Sequence, residues 1–145
     1  MRVDFYQLSR DPVEQALPLI ARATKGAGQG LLVVSEDPAA LDRISEGLWE
    51  RLPEAFLAHG RAGQAHADRQ PVLLSHDCRA ENGARFIALA DGLWREDAAG
   101  FERAFLMFGE SRLQGARDCW RMLGQRDGVE RHYWKQDGGK WVRGT

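Results

Sequence analysis

"TKGAGQGLLVV", residues Thr24 to Val34, places three glycines within five positions and runs directly into an apolar stretch. A phosphate-cradling loop and a simple separator between two elements would both look glycine-rich, and they imply different proteins. A phosphate loop follows a strand and opens a helix, so that free backbone N–H groups and the positive helix end point at the anion. Here the order is reversed. Upstream, Asp11-Pro12 offers an N-cap and a proline at the first helical position, and Val13, Ala16, Leu17, Ile20 and Ala21 recur at helical spacing. That spacing predicts a helix over 12–24, which Pro18 should bend or loosen. Downstream, Leu31 to Ser35 (LLVVS) is a strand-length apolar run, as expected of a strand buried on both faces. Gly26, Gly28 and Gly30 thus sit where glycine ends a helix in the left-handed conformation. Their spacing matches neither GxGxxG nor GxxxxGK[ST].

The same alternation continues along the chain. Val3 to Leu8 reads as a strand. Asp37-Pro38 opens a second helix whose stripe is Leu41, Ile44, Leu48 and Trp49. A short strand is expected over 55–58 and a surface loop over 60–69. Strands are expected at 71–75, 86–90 and 103–108, and a helix at 111–124. Tyr133 to Val142 reads as a hairpin around Asp137-Gly138-Gly139. Strands alternating with helices predict a three-layer α/β fold with a largely parallel sheet flanked by helices. Residues 1–145 show no repeat or linker and are expected to form one domain. The loops after the first two strands, Ser9-Arg10-Asp11 and Ser35-Glu36-Asp37, are where a ligand of such a sheet would bind. Both are acidic and lack glycine, so the fold is Rossmann-like without a nucleotide site.

Composition narrows the function. The chain is 43% hydrophobic and 28% charged, which argues against disorder. No apolar run approaches the roughly 20 residues of a membrane span. The N-terminal MRVDFYQLSRD carries acids where a signal peptide has its apolar core, so a cytoplasmic location with reduced Cys78 and Cys119 is expected. His59, His66 and His76 show no metal-ligand spacing, and no GxSxG elbow surrounds Ser35 or Ser75. Neither a metal, a cofactor nor a catalytic site is therefore expected. The net charge of −1 argues against bulk attraction to nucleic acid. It hides an asymmetry, because residues 112–145 hold eight of the 20 Lys/Arg but only four of the 21 acids. Such a basic end on an acidic body suits a localised anionic partner.

Three of the five tryptophans, Trp120, Trp134 and Trp141, lie among those basic residues. On the helix SRLQGARDCWRMLG, Arg117, Trp120 and Arg121 fall on neighbouring stripes of one face, with Leu113, Ala116, Trp120 and Leu123 as the inward stripe. A basic, aromatic face of this kind suits the stacked bases of a single strand. It suits equally an acidic peptide with a hydrophobic end.

The pieces DFYQL (4–8), LLVVSED (31–37), LDRISEGLWE (41–50), FLAHG (56–60), QPVLLS (70–75), ARDCWR (116–121) and HYWKQDGGKWV (132–142) occur in the order and spacing of a known family. The chain resembles the chi subunit of the bacterial DNA polymerase III holoenzyme over nearly its whole length. The resemblance implies a non-catalytic accessory protein associated with the clamp loader. It implies binding of the acidic C-terminal tail of single-stranded-DNA-binding protein, and a 1:1 heterodimer with the small psi subunit. It also implies that DNA is met only indirectly. Residue by residue, it assigns the tail site to Arg117, Trp120, Arg121 and Trp141, and the psi-facing surface to Phe56 beside Trp49. Some members carry lysine where this chain has Leu113, whose nearest base is Arg112. A direct single-strand-binding module using the basic aromatic end is the competing reading.

Overall fold

The computed structural model describes residues 1–9, 11–137 and 140–144. Arg10 of the Ser9-Arg10-Asp11 loop and the expected hairpin turn at Gly138-Gly139 lie outside the described residues. The elements are β1 (Arg2–Gln7), α1 (Val13–Gly26), β2 (Leu31–Val34), α2 (Pro38–Glu50), β3 (His59–Arg61), β4 (Val72–Ser75), β5 (Phe86–Leu89), β6 (Arg103–Phe108), α3 (Leu113–Gly124), β7 (Glu130–Asp137) and β8 (Lys140–Arg143). They build one eight-stranded sheet in the order β3-β4-β2-β5-β6-β1-β7-β8. Every pairing is parallel except that of β7 with β8.

Side-chain alternation along the central strands divides the core into two layers, because successive residues of a strand face opposite ways. Leu31 and Val33 pack with Leu17 and Ile20 of α1 and with Leu41, Ile44 and Leu48 of α2. Leu32 and Val34 pack with Val3, Phe5 and Leu106, and with Ala116, Cys119 and Leu123 of α3. Helices thus cover both faces of a sheet whose middle strands are apolar throughout, the three-layer arrangement that the run LLVVS predicts.

The glycine stretch is punctuation. Lys25 and Gly26 close α1, Gly28 takes a left-handed φ of 73°, and the N–H of Ala27 returns to the carbonyls of Ala23 and Thr24. Gly30 passes close to the Pro71 carbonyl and to Ala84 as the chain enters β2. Helix α1 continues through Pro18 rather than ending there.

Two expectations need correction. Residues 55–58 form no strand; Ala55 closes a 3₁₀ turn at Pro53–Ala55, and the strand lies at His59–Arg61, overlapping the start of the expected loop. It is an edge strand of three residues held by backbone pairing to β4, so it needs no apolar alternation. Trp120 is only half-buried; Cys119 takes the inward position beside Ala116 and Leu123.

Candidate functional site

In an open α/β sheet a ligand crevice forms where the chain leaves two neighbouring strands in opposite directions. Here that point lies between β2, which leads leftward through α2 to β3, and β5, which leads to β6. The crevice is stoppered by the protein's own carboxylate. Asp91 accepts from the Glu36 N–H at 3.0 Å and the Leu93 N–H at 3.3 Å, and it receives a bidentate pair from Arg95 at 2.9 and 2.7 Å. Burial pushes the Asp91 carboxyl up, but the hydrogen bonds from Arg95 and Glu36 outweigh it and hold its pKa below the usual range. Asp37 caps α2 by accepting from the Ala39 N–H at 3.0 Å. Three N–H groups at this crevice, those of Glu36, Ala39 and Leu93, are thus engaged by internal acids.

The histidines do not converge. His59 bridges the Ser45 hydroxyl and the Leu57 carbonyl, His66 occupies a left-handed turn, and His76 is exposed beside Asp77. Among the described residues, no three His, Cys, Asp or Glu side chains lie where they could hold a metal ion. Cys78 and Cys119 are free thiols, and burial pushes Cys119 up to about 12.

An open pocket lies between α3 and the β1–β7 pair. It has a volume of about 250 Å³ and is lined by Gln7, Arg117, Trp120, Arg121, Tyr133 and Lys135. Parallel register places Phe5 opposite Tyr133 and Gln7 opposite Lys135, all on the α3 face. Phe5, Trp120 and Tyr133 form an aromatic cluster: Trp120 meets Phe5 edge-on at 5.2 Å and Tyr133 edge-on at 5.8 Å, while Phe5 and Tyr133 lie nearly parallel at 6.3 Å. The Tyr133 hydroxyl donates to Gln7 Oε1 at 2.5 Å. Burial pushes the Tyr133 phenol up, opposed by the charge of nearby Arg117, so it stays a neutral donor at ordinary pH. Arg121 leans toward Asp118 at 3.6 Å, whereas Arg117 and Lys135 have no hydrogen-bond or ion-pair partner among the described residues.

Three of the four residues that sequence reasoning assigned to the tail site, Arg117, Trp120 and Arg121, therefore meet in this pocket. Trp141 does not. In β8 it pairs with Gln136, which puts it on the opposite face of the sheet, edge-on to Tyr6 at 4.9 Å. There it closes a smaller apolar cleft with Tyr6, Ile20, Phe86 and Phe105. Arg112 is not a wall of the pocket either; its side chain lies over Gly92, which has φ 74°. Sequence reasoning missed Gln7, Tyr133 and Lys135. Period-two alternation in HYWK could have shown Tyr133 and Lys135, since it separates them from Trp134, whereas Gln7 reaches the pocket only through the pairing of β1 with β7.

At the far edge of the sheet, Trp49 and Phe56 are the two most exposed large hydrophobic residues described, at 58% and 78%. Trp49 lies against the His59 ring at 4.6 Å. Phe56 stands at a left-handed φ of 48°.

These features define a class: a doubly wound α/β protein with a stoppered switch point, an open basic and aromatic pocket on one face, and exposed aromatics at its far edge. Within that class, the family model described as DNA polymerase III chi subunit, HolC, matches residues 1–130. The chain is also 30% identical over 108 residues to DNA polymerase III subunit chi of Escherichia coli (strain K12), covering 70% of this chain and 71% of that protein. The chain belongs to the DNA polymerase III chi subunit family, and so is an accessory subunit in DNA replication.

Proposed function

We propose that this chain is a non-catalytic, cytoplasmic single-domain adaptor of the clamp-loader assembly that captures the acidic C-terminal tail of single-stranded-DNA-binding protein in the α3–β7 pocket. The observation that carries this is the pocket's composition. Aromatic walls from Trp120 and Tyr133 stand beside the cations Arg117, Arg121 and Lys135, and Asp118 lies beside Arg121. An acidic peptide ending in phenylalanine complements both halves, since carboxylates pair with the guanidinium groups while the ring enters the aromatic wall. A psi subunit would dock on the separate edge carrying Trp49 and Phe56, leaving the tail pocket free. The stoppered switch point supports the absence of a nucleotide activity.

The test is fluorescence anisotropy of a labelled peptide ending in Asp-Asp-Ile-Pro-Phe, titrated with the protein beside a labelled poly-dT strand. Saturable peptide binding that weakens with salt and is lost in Arg117→Ala supports the reading. Binding of poly-dT alone, with a salt slope set by the phosphates contacted, would assign the same face to single-stranded nucleic acid instead.

A further inference from the structure

The terminal carboxylate and the preceding acids of such a tail need not be read by the same cations, and the pocket divides them. We infer that Lys135, with Arg117 and the Gln7 carboxamide, forms the subsite for the terminal carboxylate, and that Arg121 attracts the upstream acids from the rim. This rests on the peptide-binding reading above.

Three observations carry it. First, Arg117 on α3 and Lys135 on β7 line one cavity of about 250 Å³ from different elements, with no anion paired to either among the described residues. An anion bound in that cavity can be met by both cations. Arg121, by contrast, already shares its charge with Asp118 at 3.6 Å and is 68% exposed. Second, Gln7 faces the same cavity, and its Oε1 is taken by the Tyr133 hydroxyl. The group it has left for a ligand is its NH₂, a donor. Lys135 is its register partner on the adjacent strand, and both side chains line the cavity. Third, these donors are next to the Trp120 and Tyr133 rings. Only a C-terminal aromatic residue carries a ring and a carboxylate on one Cα. Tyr133 and Lys135 lie beyond residue 130, where the family match ends, so the match itself assigns them nothing.

The experiment is a cycle of peptide and protein changes read by anisotropy. The peptide is used with a free C-terminal carboxylate and as its C-terminal amide, against wild type, Lys135→Ala, Lys135→Arg and Arg121→Ala. Lys135 is exposed, so its replacement leaves the fold intact, which circular dichroism checks. Lys135→Ala is expected to weaken the free-acid peptide roughly fivefold and leave the amide unchanged, while Lys135→Arg restores most of the affinity. Arg121→Ala is expected to weaken both peptides alike. Equal losses for acid and amide in Lys135→Ala, or no loss for either, would overturn the subsite while leaving the peptide reading standing. Failure of wild type to bind the free-acid peptide would overturn both.

Discussion

Arg131 holds Trp120 from two directions: its Nη1 donates to the Trp120 carbonyl at 2.7 Å, and its guanidinium carbon lies 4.2 Å over the indole ring. Arg131 does not line the pocket, yet it fixes the wall that does. Replacing it with alanine removes a charged hydrogen bond and a cation–π contact, and is expected to cost about 1–2 kcal/mol of stability. The peptide should bind several-fold more weakly, because Trp120 is then free to change rotamer. Arg131→Lys should not rescue, since an ammonium cannot stack flat on the ring while donating to the carbonyl. Chemical denaturation and peptide titration of the two variants check this. Full affinity in Arg131→Ala would show that Trp120 needs no such brace.

Asp4 is fully buried on β1 and gathers three donors: Arg103 Nε at 2.8 Å, Trp134 Nε1 at 3.0 Å and Arg2 at 3.0–3.3 Å. Burial pushes its carboxyl up, but the hydrogen bonds from Arg2, Trp134 and Arg103 more than offset it, so its pKa is lowered. A depressed folded pKa contributes stability that is complete above the unfolded value, near 3.9, and is lost as pH falls through the folded one. Asp4→Asn leaves the two arginines without their buried counter-charge. Because both arginines are partly open to water, the cost at neutral pH is expected near the low end for such pairs, about 2–3 kcal/mol. Urea unfolding at pH 7 and near pH 3 should show that gap narrowing in acid. A gap that stays constant would mean that packing around Asp4, not its charge, supplies the difference.

The strands and helices were legible because their signals are local: the apolar runs at 31–35, 71–75, 86–90 and 103–108 needed no partner to be read. What escaped depends on pairing. His59–Arg61 has no apolar pattern and becomes a strand only through β4. The pattern over 133–142 reads as a hairpin, whereas β7 begins at Glu130 and also runs parallel to β1. That pairing brings Gln7, Tyr133 and Lys135 to the pocket from positions more than a hundred residues apart. It also carries Trp141 to the other face. The resemblance groups Trp141 with Trp120, whereas β8 registers Trp141 against Gln136.

Phe56 joins two costs in one residue. Its side chain is 78% exposed, and its backbone holds φ 48°, ψ 59°, a region that favours glycine. Under the adaptor reading proposed above, that exposed ring is the contact for psi. Phe56→Gly removes the backbone strain and loses little burial, while glycine gains freedom in the unfolded chain. Stability is therefore expected within about 0.5 kcal/mol of wild type. Binding to a psi subunit should be lost, and the tail peptide should bind as before, because the pocket is on α3 and β7. Calorimetry against psi and anisotropy against the peptide separate the two. A variant that still binds psi would move that interface elsewhere.

The proline inside α1 and a glycine inside α2 answer each other. Pro18 has no N–H, so the Glu14 carbonyl four residues back receives no helical hydrogen bond at that place. Gly47 of α2 lies directly against that carbonyl, and a Cβ there would collide with it. The α-carbon of glycine can approach a carbonyl closely enough for a weak C–H···O contact, which partly compensates the orphaned acceptor. Gly47→Ala must therefore force the two helices apart, although alanine is the better helix former. The expected loss is about 1–3 kcal/mol, opposite in sign to the roughly 1 kcal/mol gain that propensity alone predicts. Pro18→Ala should not rescue it, since the Glu14 carbonyl stays in place. Thermal unfolding of the single and double variants decides the matter. A stabilised Gly47→Ala would show that α1 and α2 can separate freely, and that this glycine is not needed for their approach.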